Sequence, residues 1–305
     1  MLQLRTGFRW HFAGAAFALA TCLAAAPAVQ AQAPTKKDTR PTSQSGAATA
    51  PAATVADDHG SLTATLGYGS NSSFFGRTQS TAYPYATGEL TYTSKGGLWG
   101  SVMAYNLFNT ATVIDETDLS VGYDHDLSKK VDFSASYSHF LFPAASPLVK
   151  SSVNNSLDAA LGYDWSVLYT RLNGAYLFGN GSGDFFLTLD NSRTFTIDGI
   201  LTADDYVDIA PRVSVTAGTQ YFAETSVQQQ IKNGKPPKKT TTTTTTSVPA
   251  SHFTALSYEL RLPVTYTYGK VSAGVAYRYL VPVNVLPADD SAARSYFTAS
   301  LSVTL

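Results

Sequence analysis

The most informative stretch of this sequence runs from Leu256 to Tyr268 and reads LSYELRLPVTYTY. Its even-numbered positions are all leucine, valine or tyrosine, whereas its odd-numbered positions are serine, glutamate, arginine, proline and threonine. Successive side chains of a β-strand point to opposite faces, so this stretch has one apolar face and one mostly polar face. Gly269-Lys270 follows, and Val271–Val281 then alternates in the same way. Two alternating runs joined by two turn residues predict a β-hairpin.

The same alternation recurs from residue 60 to residue 305, and it is interrupted by Gly, Asn, Asp, Ser and Pro. We predict an all-β fold with about 12 strands, and 10 or 14 strands are the alternatives. Residues 98–107 are ambiguous because either face could be the apolar one, and 185–201 is interrupted at Asp190–Arg193. The predicted strands are 61–70, 83–94, 98–107, 116–127, 130–142, 154–165, 167–178, 185–201, 207–222, 253–268, 271–282 and 294–305.

The composition of the 305 residues excludes several classes of protein. Charged residues are 14% of the chain, compared with about 25% in an average soluble protein. Lys and Arg number 21 against 22 Asp and Glu, and a net charge of -1 argues against nucleic acid as a partner. The 18 Tyr and 16 Phe, beside only 2 Met, are typical of strands rather than helices. An ordinary cytosolic α/β enzyme is not expected.

The first 59 residues differ from the rest of the chain. Arg5 and Arg9 precede an apolar run over 12–27, and small residues follow it at cleavage spacing, so residues 1–31 are predicted to be a signal peptide. A membrane-anchor helix, or lipidation at Cys22, is the alternative reading of this segment. Residues 32–59 are rich in Ala, Pro, Thr and Ser without periodicity, which predicts a disordered periplasmic linker. The barrel prediction therefore covers residues 60–305.

Two architectures produce alternating strands, namely a soluble sandwich and a membrane-spanning barrel. The predicted strands are about 10–13 residues long, which suits a tilted membrane-crossing strand better than a sandwich strand of about 5–6 residues. Aromatic residues such as Tyr68, Trp165 and Tyr268 gather near the strand ends, as in the interfacial girdles of outer-membrane barrels. The predicted connections also alternate between short and long. These features favour a transmembrane, antiparallel, up-and-down β-barrel, and a secreted sandwich or adhesin is the alternative.

On these residues the chain resembles the bacterial outer-membrane β-barrel proteins and, more loosely, the small porins. The closing stretch YFTASLSVTL at residues 296–305 is similar to the terminal strand that such proteins present to the barrel insertion machinery, although it ends in Leu305 rather than in an aromatic residue. The segments 66–68 and 74–77 are similar to the start of some small porins. The resemblance implies location in the bacterial outer membrane, contact with its lipid, and both termini in the periplasm.

If the apolar faces meet lipid, the polar faces line a lumen. A two-residue turn at 269–270 predicts that Arg261 lies directly opposite Arg278, and two like charges in that position are destabilising unless an acid compensates them. Glu259 on the diagonal and Asp158 across the lumen are the candidate acids. In a closed barrel of 12 strands an acidic wall would then face a wall rich in arginine. The predicted pore-lining residues are Asp118, Asp124, Asp132, Asp158, Asp164, Arg212, Glu259, Arg261 and Arg278.

No motif in the sequence predicts an enzyme, a cofactor or a metal site. His139 and His125 are expected on the apolar faces, opposite their polar neighbours, and Gly179–Gly183 is not followed by the helix that a phosphate-binding loop requires. The predicted function is that of a porin-like channel for passive diffusion of small polar solutes. The alternative is a non-conducting structural or surface-binding barrel that acts through external loops, among them the Lys- and Thr-rich segment 232–246.

Overall fold

A computed structural model gives the fold of the chain. It describes residues 60–78, 82–108, 110, 113–143, 153–179, 183–223, 252–287 and 289–305. The predicted signal peptide, the predicted linker and the Lys- and Thr-rich segment lie outside the described residues, and of 179–183 only Gly179 and Gly183 are described. No helix among the described residues is long and apolar enough to cross a membrane.

Twelve strands close into one antiparallel barrel. Each of the twelve barrel strands pairs with the next barrel strand along the chain, and the first barrel strand, β1, pairs with the last, β16, to close the ring. The strands are β1 (Ser61–Gly69), β2 (Ser73–Phe74), β3 (Arg77–Thr78), β4 (Tyr85–Thr93), β5 (Leu98–Leu107), β6 (Glu116–Asp126), β7 (Val131–Leu141), β8 (Val153–Asp164), β9 (Tyr169–Gly179), β10 (Asp184–Ser192), β11 (Phe195–Asp198), β12 (Asp205–Ile209), β13 (Arg212–Gly218), β14 (Thr254–Tyr268), β15 (Val271–Pro282) and β16 (Arg294–Thr304). Strands β2 and β3 form a separate hairpin, the inner hairpin, between β1 and β4.

Two of the barrel strands are bent and each is divided into two, so the fourteen strands outside the inner hairpin build a barrel of twelve. β10 continues into β11, β12 continues into β13, and the two breaks lie opposite each other, where Arg193 N donates to Pro211 O at 3.2 Å. Proline has no amide hydrogen for a strand ladder, so the break falls beside it. The interruption that the sequence shows at Asp190–Arg193 is therefore a bend near the end of a strand, and the prediction of twelve strands is confirmed.

The connections between strands differ at the two ends of the barrel. At one end, the turn end, the connections are short and the described termini lie beside them. At the other end, the loop end, most connections are longer, and the longest is 219–253. The connections at the turn end are 94–97, 127–130, 165–168, 199–204 and 269–270. Gly97 and Gly269 have positive φ angles of 87° and 56°, which glycine adopts without a steric penalty in such tight turns.

The polarity of the barrel is reversed compared with a soluble protein. Leucine, valine and tyrosine side chains face outward and are exposed, for example Leu66 at 64% and Tyr92 at 52%. The inward positions of the same strands are mostly threonine, serine, glycine and charged residues. At the seam between β1 and β16 the hydroxyl groups of Thr65 and Ser302 are hydrogen-bonded at 3.0 Å. An apolar outer face is what a barrel surrounded by hydrocarbon requires.

Candidate pore and its charged walls

The inward faces of β13, β14 and β15 carry three arginines at one level of the strand register. Arg212 pairs with Arg261, and Arg261 pairs with Arg278, as the two-residue turn at 269–270 predicts. We call these three residues the arginine row. Like charges directly opposite each other on neighbouring strands are destabilising, by roughly 0.2–1 kcal/mol for each pair at the surface of a sheet. The row therefore needs anionic compensation.

Glu259 forms hydrogen bonds with only one member of the arginine row. Arg278 Nε and Nη2 donate to the two carboxylate oxygens of Glu259 at 2.5 and 3.0 Å, and the two side chains are 13% and 15% exposed. The guanidinium of Arg278 also lies 5.1 Å from the ring centroid of Tyr296, a cation–π contact. By contrast, Nε of Arg212 and Nε of Arg261 are covered from solvent and have no hydrogen-bond partner among the described residues.

A second charged cluster lies on β7 and β9. Arg171 donates to Asp132 Oδ1 at 2.9 Å and to Ser134 Oγ at 2.6 Å, and Tyr169 Oη donates to Asp132 Oδ2 at 2.9 Å. β8 runs between β7 and β9, and Gly162 on β8 allows these side chains to meet, since a Cβ there would collide with Tyr169 and Asp132. A buried carboxylate with a guanidinium and a phenol as donors is a well-satisfied ion pair.

Replacing Asp132 by alanine is expected to destabilise the barrel by about 2 kcal/mol, because it leaves the buried guanidinium of Arg171 without its carboxylate. Urea unfolding in lipid vesicles would measure the free energy of unfolding. Asp198, which is exposed on β11, is the matched control, and Asp198→Ala should change this free energy by less than about 0.5 kcal/mol. Equal losses in the two variants would contradict the assignment of Asp132 to a stabilising pair.

The remaining predicted acids lie on β6 and β8. Asp118 and Asp124 are on the inward face of β6, and both carboxylate oxygens of Asp118 are covered without a hydrogen-bond partner among the described residues. Asp158 is on the inward face of β8 and accepts a hydrogen bond from Ser156 Oγ at 2.6 Å. Asp164 ends β8, and its carboxylate accepts from the amide of Ser166 in the turn. Asp158 thus contacts serine rather than the arginine row.

The loop end of the lumen is filled by the inner hairpin. Phe74 and Phe75 are 8% and 6% exposed, and they pack against inward-facing residues of β7, β9, β10 and β14. The ring of Phe75 stacks on Phe186 at a centroid distance of 3.8 Å, and that of Phe74 lies edge-on to Phe222 at 5.3 Å. Burying a phenylalanine side chain contributes about 1.5–3 kcal/mol. These contacts form an aromatic cluster inside the mouth of the barrel.

Arg77 fixes the inner hairpin to the wall. Its guanidinium donates to Gln220 Oε1 at 3.2 and 2.5 Å, to the carbonyl of Leu256 at 3.0 Å, and to the carbonyls of Val283 and Asn284 at 3.0 and 3.2 Å. Arg77 Nε also lies 3.5 Å from Asp289 Oδ2. Burial lowers the pKa of Arg77, and the charge of Asp289 opposes that shift. Arg77 is therefore held by the neutral oxygen acceptors as well as by the carboxylate of Asp289.

The sequence predicted charged residues that lie on inward faces of the strands, but it did not predict all of the side chains that they contact. The register of Arg261 and Arg278 and the role of Glu259 follow from alternation and turn length, and the structure shows both. The pairing of Arg171 with Asp132 was not predicted, although alternation alone puts Arg171 on the inward face of its strand. The filling of the lumen by Phe74 and Phe75 was also missed, because a short loop hairpin has no periodic signal.

The structure gives no second kind of site among the described residues. His139 points outward from β7, and its Nδ1 lies 2.9 Å from Asn155 Oδ1, so it faces away from the lumen. His125 is stacked on Tyr123 with ring centroids 5.7 Å apart. In the part of the chain that the structure describes, no three His, Cys, Asp or Glu residues are grouped so as to hold a metal ion.

Comparisons of sequence identify no relative: no family model matches the chain, and no curated protein matches it. Solved structures with a similar outline include the KdgM porin, with 10% identity, a TM-score of 0.45, and coverage of 80% of this chain and 98% of that one. The NanC porin has 13% identity, a TM-score of 0.44, and coverage of 80% and 100%. The COG4313 outer membrane channel from Pseudomonas putida F1 has 10% identity, a TM-score of 0.47, and coverage of 85% and 100%.

The fold assignment rests on the strand pairing and polarity of the chain itself. Twelve antiparallel strands close on themselves, the apolar side chains face outward, and the charged side chains face inward. Short turns lie at one end together with both described termini. By its architecture, the chain is an up-and-down β-barrel of the outer-membrane type.

Proposed function

We propose that the chain is a porin-like channel of the bacterial outer membrane for passive diffusion of small polar solutes. The observation that carries the proposal is the reversed polarity of a closed barrel, whose inward face holds ionised side chains that lipid could not solvate. A solute would enter by exchanging part of its hydration for contacts with hydroxyl, carboxylate and guanidinium groups of the wall.

The charge distribution supports selectivity in such a channel. Five strands separate β7 from β15 in each direction around the barrel, so these two strands lie opposite each other. The arginine row lies on β13–β15, and the five aspartates predicted from the sequence to line the pore lie on β6–β8. Facing walls of opposite charge around a narrow, low-dielectric lumen would create a transverse field that orients polar solutes.

The proposal also fixes orientation. Outer-membrane barrels have short periplasmic turns and longer extracellular loops, so the turn end would face the periplasm and the loop end the exterior. Residues 1–31 would direct export, 32–59 would form the periplasmic linker, and β16 would be presented to the insertion machinery. The inner hairpin would then narrow the extracellular mouth.

One observation favours a second candidate function. The aromatic cluster around Phe75 and Phe186 leaves these side chains 6% and 0% exposed at the loop end. A barrel sealed in this way would conduct nothing, and its function would lie in its external loops. In that case deleting residues 228–247, which lie outside the described residues, should abolish function while the barrel stays folded.

The two candidates predict different results in a planar lipid bilayer. We expect the purified full chain to insert and to give stable single-channel current steps, because polar and charged side chains occupy most inward positions between the turn end and the aromatic cluster. The control is the same preparation after heat denaturation, which should give none. A folded, heat-modifiable barrel that never conducts would contradict the channel proposal and favour the sealed barrel.

A further inference from the structure

We propose that Arg212 and Arg261 form a binding site for a carboxylate group of the transported solute, and that the remainder of that solute is neutral or cationic. This inference rests on the proposed channel function and names the class of solute. It starts from the imbalance of charge in the arginine row, in which three guanidinium groups are matched by the single carboxylate of Glu259.

Glu259 makes its hydrogen bonds within the row to Arg278 and not to the other two arginines. Both of its oxygens accept hydrogen bonds from Arg278, which holds the carboxylate in a bidentate pair. Arg212 and Arg261 each keep a covered Nε without a hydrogen-bond partner among the described residues. A buried donor that is left unsatisfied costs about 1–3 kcal/mol, and more when it is charged. A solute in the lumen cannot reach these covered Nε atoms, but the Nη atoms of both arginines are not covered in this way and can donate to a carboxylate, which would offset the excess positive charge.

The shape of the row suits a carboxylate. Arg212 and Arg261 are directly paired across two neighbouring strands, and both side chains project from the same face of the sheet. Both residues are only partly covered by the protein, so a solute in the lumen can reach them. The guanidinium fork matches the two oxygens of a carboxylate, and two adjacent forks can hold one such group from both sides.

The opposite wall limits the rest of the solute. In one direction around the barrel, the residue paired with Arg278 is Tyr296 on β16. The corresponding position on β1 would lie beyond Gly69, past the loop end of that strand. In the other direction, the paired positions run from Arg212 through β10 and β9 to Asp164 at the turn end of β8. The strands of a barrel are tilted, so a line that follows the strand register rises toward the loop end on one side of the barrel and descends toward the turn end on the other. The residues that face the arginine row across the lumen at the same height are therefore those in the middle of β5 and β6.

Asp118 lies in that middle region and pairs with Met103. Its carboxylate oxygens are covered and have no hydrogen-bond partner among the described residues. A second anionic group on the solute would therefore approach an uncompensated carboxylate, whereas a methyl group would not be repelled and an ammonium group would be attracted. The preferred solute thus has one carboxylate, and its far end is cationic or neutral.

Three probes of similar length separate these possibilities. γ-Aminobutyrate, butyrate and glutarate each carry one carboxylate, and their far ends are an ammonium, a methyl and a second carboxylate. Binding to the native state raises the melting temperature, so the unfolding of the full chain in detergent can be followed with each probe at constant ionic strength. We expect γ-aminobutyrate to stabilise most, butyrate less, and glutarate least.

Two variants test the site itself. Arg261→Gln and Arg212→Gln should each weaken the apparent affinity for γ-aminobutyrate about tenfold, because each removes a charge-assisted donor pair. Both should also melt at a higher temperature than the parent when no probe is present, since each removes a like-charge repulsion. Arg193→Gln is the matched control and should leave the affinity unchanged, because Arg193 is not a member of the row and its guanidinium lies over the ring of Phe195 at the break between β10 and β11.

Each outcome decides one point. If none of the probes raises the melting temperature of the parent chain, the carboxylate site is wrong even if the channel conducts. If the shift occurs and the bilayer shows no current, the site stands and the proposed channel function fails. Stronger stabilisation by inorganic phosphate than by butyrate, or by glutarate than by γ-aminobutyrate, would overturn the assigned solute class.

Discussion

Glu259→Gln is expected to destabilise the barrel by about 3 kcal/mol, because it leaves three arginines on adjacent strands without a carboxylate. In the native chain both oxygens of Glu259 accept from Arg278, and both side chains are largely covered. The glutamine side chain is nearly isosteric, so packing changes little and the loss reports charge. Urea unfolding of the vesicle-inserted protein measures the difference in free energy.

A double-mutant cycle is the control for this prediction. Arg278→Gln alone should also destabilise, but Glu259→Gln combined with Arg278→Gln should recover part of the loss, because the number of uncompensated charges falls. Asp190→Asn provides a second control on the inward face, since the carboxylate of Asp190 accepts a hydrogen bond from Ser214 outside the arginine row. Additive losses in the cycle would show that Glu259 does not stabilise the barrel through Arg278.

Arg77→Ala is expected to raise the single-channel conductance at least about twofold. The substitution removes every hydrogen bond that ties the inner hairpin to Gln220 and to the carbonyls of Leu256, Val283 and Asn284. Ser73 keeps its hydrogen bond to Tyr296, and Thr78 keeps its hydrogen bonds to Ser291 and Ala292. Phe74 and Phe75 are nevertheless held less firmly across the mouth, so the narrowest section of the lumen should widen. Single-channel recording in symmetric salt measures the conductance, and heat-modifiability verifies that the barrel is folded.

The control for the hairpin variant is Arg193→Ala, which removes an arginine at the break between β10 and β11, where its guanidinium lies over the ring of Phe195 and not against the inner hairpin. Its conductance should equal that of the parent chain. Asp289→Asn should also have a small effect, because burial raises the pKa of Asp289 and the neutral acceptors hold Arg77 independently. A folded Arg77→Ala barrel with unchanged conductance would show that the inner hairpin is not the constriction.

The ambiguous third strand shows where local pattern fails and tertiary structure decides. In residues 98–107 both faces carry large apolar side chains, and alternation could not choose between them. The structure turns Trp99 and Tyr105 inward, where they are 6% and 2% exposed, and leaves Leu98 at 57% on the outer face. Tyr105 stacks on Tyr85 of the adjacent strand with centroids 4.7 Å apart. The choice depends on this cross-strand partner, which is distant in sequence.

The amino-acid sequence by itself determined the strands, their reversed polarity and the register of Arg261 with Arg278, because alternation and a two-residue turn are local properties. Tertiary structure alone decided which charges meet. Asp132 finds Arg171 across β8, and Phe75 finds Phe186 from a loop of the first two barrel strands. Such contacts depend on barrel closure, strand tilt and the path of a loop through the lumen, and none of these leaves a periodic signal in the chain.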